Sequence, residues 1–233
     1  KAGLESPQFE AKELMRHFLN ISEAEIYSDV QKDFEQKDIE QLEDALKKRA
    51  GGYPLQYIIG EWEFYGYRFK VGEGVLIPRA DTETLIEAVK SLELKSPVIT
   101  DLCSGSGCIA ITLEKEISGS EVYAIEYSDK AFSYLKENIE INYSKATAIL
   151  GDVFDEKIIS GMSFSDIIVS NPPYLTGKDM ENLQKEVGFE PEMALRGGSD
   201  GLEFYKKIVP LWKKKLKNNG YIVFEIGVNQ EEA

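Results

Sequence analysis

The sequence predicts a doubly wound, mainly parallel α/β sheet, preceded by a small helical domain and a linking β-hairpin. From Pro97 onward, short apolar runs rich in β-branched residues alternate with segments of helical spacing, the pattern of consecutive βαβ units. Where the first of those strands gives way to its helix, the chain reads Asp101-Leu102-Cys103-Ser104-Gly105-Ser106-Gly107, a glycine turn placed for a ligand. The first fifty residues instead carry only helical periodicity.

In order, Phe9, Leu14, Phe18 and Leu19 mark a first helix, Ser22 caps a short second one, and Ile39, Leu42, Ala45 and Leu46 mark a third that stops at Gly51-Gly52. His17 lies in the first helix and reads as a surface or interface residue. Residues 62–71 place β-forming residues on both sides of Gly66, a hairpin signal. Asp81-Thr82-Glu83-Thr84 is a cap-rich entry to a helix that turns Leu85, Ile86 and Val89 inward. Strands follow at 98–102, 121–126, 146–150, 166–170 and 220–226, with helices at 109–116, 130–142 and 202–217. The division expected is 1–60 for the helical domain, 61–75 for the hairpin linker and 76–233 for the sheet domain.

With 233 residues, 42% of them hydrophobic, the chain can bury a sizeable core. No run approaches the roughly 20 apolar residues that span a bilayer, and the N-terminal stretch lacks a signal-peptide core, so no membrane association is expected. Cys103 and Cys108 lie inside the glycine loop with no second pair, and His17 is the only histidine, which suits neither a disulfide framework nor a metal site and fits a reducing cytoplasm. The net charge of −14 argues against a phosphate backbone as main partner. The run Lys213-Lys214-Lys215 with Lys217 reads as a solvated helix end.

Asn171-Pro172-Pro173-Tyr174 follows the run Asp166–Ser170, at the outer end of a buried parallel strand, where open α/β sheets bind ligands. Two prolines remove two N–H donors and stiffen the turn, and Asn171 before Pro172 is pushed towards an extended conformation. Acceptors remain, namely the Asn171 side-chain oxygen and the Asn171 and Pro172 carbonyls, with an aromatic face from Tyr174. That set suits a planar NH2 group. It reads equally as a proline-rich strand exit. Gly105-x-Gly107-x-x-Ala110 with Glu126 at the end of the next strand matches the dinucleotide fingerprint, with Glu126 accepting from ribose hydroxyls. Any nucleoside-type cofactor wants the same turn and acid, so a nicotinamide enzyme stays in play.

The order of the glycine loop, Glu126, Gly151-Asp152-Val153-Phe154 and Asn171-Pro-Pro-Tyr174 resembles the class I, Rossmann-like S-adenosylmethionine-dependent methyltransferases, and among them the HemK-like release factor glutamine methyltransferases. The likeness extends to Pro54-Leu-Gln-Tyr-Ile with Gly60, Ile77-Pro-Arg-Ala-Asp-Thr-Glu83, and Phe189-Glu-Pro-Glu-Met-Ala-Leu195 followed by Gly197-Gly198. It implies S-adenosylmethionine held by Asp101, Cys103, Ser104, Gly105, Ser106, Gly107, Glu126, Asp152, Val153, Phe154 and Asn171. Asn171, Pro172 and Tyr174 would be catalytic, the tetrad 171–174 (Asn171, Pro172, Pro173, Tyr174) would bind the substrate amide, and no metal would take part. The chain departs from the family at Cys103, where glycine is frequent, and at Val153, where an aromatic can flank the adenine; Phe154 is the nearby substitute. The resemblance also implies strands beyond Ile226, so the chain is expected to lack its last strands.

The expected activity is methyl transfer to the glutamine amide of a Gly-Gly-Gln motif in a peptide chain release factor. The helical domain would serve as the docking domain of a cytoplasmic monomer with no direct nucleic-acid contact. Two other classes compete: an amino methyltransferase of nucleic-acid bases, which the net charge disfavours, and a non-catalytic nucleotide-binding module, which the intact tetrad disfavours.

Overall fold

The computed structural model describes residues 6–28, 32–228 and 230–232. Helices α1 (Pro7–Leu19), α2 (Glu23–Ile26), α3 (Gln36–Ala50) and α4 (Leu55–Ile59) bury Leu14, Ala45 and Leu55 against Phe18, Leu42, Ile58 and Ile59. Ser22 caps α2 in a full capping box with Glu25, as its position before the helix predicts. Phe9 and Leu46, which mark the helical spacing of α1 and α3, lie outside the buried cluster and are exposed. The module is tied to the remainder by Arg49, whose buried guanidinium pairs with Glu10 of α1 and, at 2.7 Å, with Glu186 far along the chain.

The hairpin β1 (Glu61–Phe64) and β2 (Tyr67–Lys70) turns through Tyr65 and Gly66, both at positive φ, which is the two-residue turn whose twist matches paired strands. Its Phe64 and Phe69 are buried against α5 (Glu83–Lys90), α6 (Cys108–Glu116) and α7 (Asp129–Ile141). These helices cover one face of the sheet formed by β3 (Val98–Leu102), β4 (Glu121–Glu126), β5 (Thr147–Leu150), β6 (Ser165–Ser170) and β7 (Leu216–Phe224). The other face meets α8 (Glu156–Gly161) and α10 (Glu203–Trp212) through Ile159, Ile208 and Trp212, while α9 (Gly177–Glu181) lies in the crossover between β6 and α10. All five strands are parallel, in the order β5-β4-β3-β6-β7. The chain therefore reverses its direction across the sheet between β3 and β6, and the crevice beyond their carboxyl ends is the binding position of a doubly wound fold.

Two expectations at the C-terminal end are corrected. The helix expected at 202–217 ends at Trp212, with a single 3-10 turn at Lys213–Lys215 after it. The last strand runs over Leu216–Phe224 and not 220–226, because the turn-like Asn218-Asn219-Gly220 is absorbed as an irregularity within it. Asn219 takes positive φ, and the register against β6 shifts there. Lys217 is thus a strand residue paired with Asp166 at 2.7 Å. The cap-rich entry at 81–84 also makes no side-chain cap on α5: Thr82 is already helical, as part of a 3-10 turn at Ala80–Thr82.

Candidate active site

A cavity of about 610 Å3 opens at the reversal point. Its floor is the loop after β3, which brings Cys103, Ser104, Gly105 and Ser106 to the surface of the cavity; Asp152, Val153 and Phe154 after β5 form one end, and Asn171 and Pro173 the other. Gly105 has φ 55°, and a Cβ there would meet nothing, so its glycine serves the backbone conformation and leaves the space above open. Gly107 differs from expectation. It does not line the cavity; at φ 82°, its Cβ would strike Leu135 of α7 at 2.4 Å, so this glycine serves helix packing.

Glu126 is 8% exposed and is held at both oxygens, by Gly105 N–H and Ser128 N–H, each at 2.7 Å. Glu126 also lines the cavity, and each oxygen has a second lone pair to offer. Burial raises its pKa. Asp101 does not reach the cavity: it is fully buried beneath the loop with neither oxygen hydrogen-bonded among the described residues, and burial, with Glu126 adding, pushes its pKa up to about 8. Cys103 and Cys108 are both free, and burial raises both thiols, Cys108 to about 12, which keeps them out of thiolate chemistry.

Val153, expected beside the adenine from the family resemblance, is 4% exposed and its carbonyl accepts from the Trp212 indole at 2.8 Å. Phe154 supplies the aromatic surface, packed on Phe204 of α10 with ring centroids 5.4 Å apart. Phe204 also lines the cavity, and nothing in the sequence marks it beyond its place in a helix.

Tyr174 lies on the other side of the tetrad, in a second cavity of about 920 Å3 that shares Leu76, Arg79, Asn171 and Ala194 with the first. Pro172 and Pro173 are buried, and Pro173 lines the first cavity. The turn is braced from behind: Leu175 N–H donates to Leu195 O and Gly197 N–H to Leu175 O, both at 2.8 Å. Arg79, at the boundary, forms an ion pair with the buried Glu190, which also accepts from Ile77 N–H at 2.9 Å. This contact draws the 190–196 segment across the first cavity as its outer wall. Tyr174 Oη donates to Glu225 at 3.3 Å, and Asn171 Nδ2 to Thr82 Oγ1, also at 3.3 Å. Neither Thr82 nor Glu225 stands out in the sequence as a site residue, where one reads as a helix cap and the other as a strand end.

Residues 1–60 match the family described as PrmC N-terminal domain, and residues 79–196 match the methyltransferase small domain, just over half of the chain. A release factor glutamine methyltransferase of Thermodesulfovibrio yellowstonii is 39% identical over 96% of this chain and 81% of its own length. The chain belongs to the release factor glutamine methyltransferase family. The family member of Fusobacterium nucleatum is 38% identical over 99% of this chain, which spans 66% of that relative. Among solved structures, a precorrin-6y C5,15-methyltransferase of Geobacter metallireducens is similar over 67% of this chain and 65% of its own, with a TM-score of 0.46 and 14% identity, too distant to bear on the site.

As a member of this family the chain is a methyltransferase and its methyl donor is S-adenosylmethionine. The first cavity fits that group chemically: an acceptor pair on Glu126 for a diol, open space over Gly105, and an aromatic surface from Phe154 and Phe204. Among the described residues no helix is long and apolar enough to cross a membrane, and no cluster of His, Cys, Asp or Glu is arranged to hold a metal ion.

Proposed function

We propose that the chain methylates the side-chain amide nitrogen of the glutamine in a Gly-Gly-Gln motif of a peptide chain release factor. The observation that carries this is the position of Asn171, the tetrad residue shared by the two cavities, so that a donor in one and an acceptor amide in the other would meet across it. Relatives named for release factor glutamine methylation support the choice of substrate.

The bound sulfonium supplies an electrophilic methyl group. An amide nitrogen is a poor nucleophile because its lone pair is delocalised, so the protein's part is to position it and to favour the charge that develops on it. Asn171 Oδ1 and the Pro172 carbonyl accept the two N–H bonds, and the Tyr174 ring packs against the amide plane. No general base is assigned, because the proton is lost readily once the nitrogen is cationic. Asp101, Cys103, Ser104, Gly105, Ser106, Gly107, Glu126, Asp152, Val153 and Phe154 form the cofactor side, with Asp101 and Gly107 acting from behind the loop and not by contact. Flanking glycines let the substrate backbone enter the second cavity, whose lining includes Asp81, Asp179, Asp200 and Glu225 with Arg79. That acidic lining, with the net charge of −14, opposes a nucleic-acid strand there.

Replacing Glu126 with Ala is expected to weaken S-adenosylmethionine binding by about 1.5–3 kcal/mol, the range for hydrogen bonds to a charged group. Calorimetry checks this, and unchanged affinity removes Glu126 from the ribose site. NAD should give no saturable heat.

Residues 1–60, carried by the hairpin linker 61–75 on the catalytic domain 76–233, form the surface on which we place the rest of the release factor, acting as a cytoplasmic monomer. An intact release factor should then be methylated at least about tenfold faster than a short Gly-Gly-Gln peptide, the effect of some 1.4 kcal/mol of added docking. Equal rates would remove the docking role. Radiolabel in RNA instead of protein would remove the substrate assignment.

A further inference from the structure

The amide of Asn171 has an oxygen end and a nitrogen end of nearly equal size, and only the oxygen end can accept from a substrate NH2. The tetrad by itself does not decide which end faces the substrate. The polar groups behind it do. Asn171 Nδ2 donates to Oγ1 of Thr82, a residue only 2% exposed. Phe224 pairs with Ser170 in the β6–β7 register, and Glu225 N–H donates to Ser170 O at 3.0 Å, which sets the Glu225 side chain next to Asn171. One carboxyl oxygen accepts from Tyr174 Oη; the other is buried and, among the described residues, has no hydrogen-bond partner. That oxygen is open to further donors, and the Thr82 hydroxyl and the Asn171 amide, near the carboxyl but not hydrogen-bonded to it in this structure, favour its charged form.

We infer, on the amide-methylation reading above, that Glu225 is a positioning residue that sets the direction of this chain of groups. An ionised carboxylate accepts and never donates. Tyr174 gives its hydrogen to one carboxyl oxygen, and the open oxygen beside Thr82 draws the hydroxyl hydrogen of that residue, which leaves Thr82 only lone pairs for its neighbour. Asn171 must meet them with its nitrogen, and its oxygen is left for the substrate. A protonated or amidated side chain at 225 brings a donor of its own, and the chain can reverse.

The other groups around Glu225 are few. Asp81 raises its pKa together with the larger effect of burial, Arg79 acts on the neighbouring Tyr174, Tyr205 Oη donates to the Glu225 main-chain oxygen at 2.8 Å, and Cys108 from α6 is held as a thiol. The carboxyl pKa is raised, so wild-type turnover should fall as pH drops through that raised value, and the direction of the chain should be lost with it.

The test compares the full chain with its Glu225→Gln and Glu225→Asp variants, all loaded with S-adenosylhomocysteine. Solvent exchange of the Asn171 side-chain NH2, followed by 15N NMR and assigned with Asn171→Asp, should be slow in the wild type, roughly tenfold faster in Glu225→Gln, and closer to wild type in Glu225→Asp. Preference for a Gly-Gly-Gln over a Gly-Gly-Glu peptide should collapse in Glu225→Gln while S-adenosylhomocysteine affinity stays within about twofold, and the acid limb of turnover should vanish. A Gln variant with wild-type exchange and wild-type peptide preference overturns the inference, as does one that loses cofactor affinity and melting temperature together. If the wild type neither methylates a release factor nor prefers the amide peptide, the proposed substrate falls, and the exchange measurement still decides the orientation of Asn171.

Discussion

Asn171→Ala should lose about a hundredfold in turnover, on the order of one lost positioning and charge-stabilising contact, while S-adenosylmethionine affinity changes little. The separation follows from where the residue sits. Asn171 lines both cavities, with its side-chain nitrogen on Thr82, so truncation removes the proposed acceptor and leaves Gly105, Glu126 and Phe154 of the first cavity in place. Tyr174→Ala should act in the same sense but less severely. Turnover numbers from single-cycle assays, set beside calorimetric affinities, test both, and wild-type turnover in the Asn171→Ala variant would reduce the tetrad to a strand exit.

Gly197→Ala is expected to impair the enzyme from outside either reaction partner's contacts. A Cβ at 197 would lie 2.6 Å from the Pro173 carbonyl oxygen and 2.6 Å from Tyr174 Cα, both backbone atoms with no side-chain freedom to yield. The tetrad must move. Overpacking of this kind costs about 1–3 kcal/mol, and for a chain of this length each kcal/mol lowers Tm by roughly 2–4 °C. Because a displacement of about 1 Å at a positioning turn can cost a hundredfold in rate, the loss of turnover should exceed what the fall in stability explains. Gly188→Ala, where a Cβ meets nothing within 4 Å, serves as the control and should match wild type in both measurements. A normal kcat in Gly197→Ala would show that the 195–201 segment does not brace the tetrad.

The strands around the reversal point were legible because they are buried on both faces: Val98–Leu102 and Glu121–Glu126 read as apolar runs bounded by turn residues and were found at their true limits. The last strand was misplaced because Asn-Asn-Gly carries the chemistry of a turn, and only pairing with β6 shows that it lies inside a strand. The floor of the first cavity was readable from its glycines and acids, although spacing alone could not show that Gly107 faces a helix and Gly105 a cavity. Thr82 and Glu225 were not readable. Their meeting with Asn171 spans 89 positions in one case and depends on strand register in the other, and neither leaves a local pattern. The outer wall at 190–196 has no periodicity at all; it is held by the Arg79–Glu190 pair, between two stretches that the sequence connected only through family likeness.

Asn138, fully buried in α7, accepts from Lys70 N–H at 2.6 Å and donates to Lys70 O at 3.1 Å and to Ser106 O at 2.8 Å. One amide thus closes both the free edge of the hairpin and the rim of the glycine loop, two segments that share no strand pairing. Opening the hairpin leaves the buried Asn138 oxygen and one of its N–H bonds without partners, and distorting the loop leaves the other N–H without one, so neither can fray alone at low cost. The hairpin and the glycine loop are therefore expected to open as one cooperative unit. Strain entering through the hairpin would thus reach the glycine loop as a change in its local opening free energy.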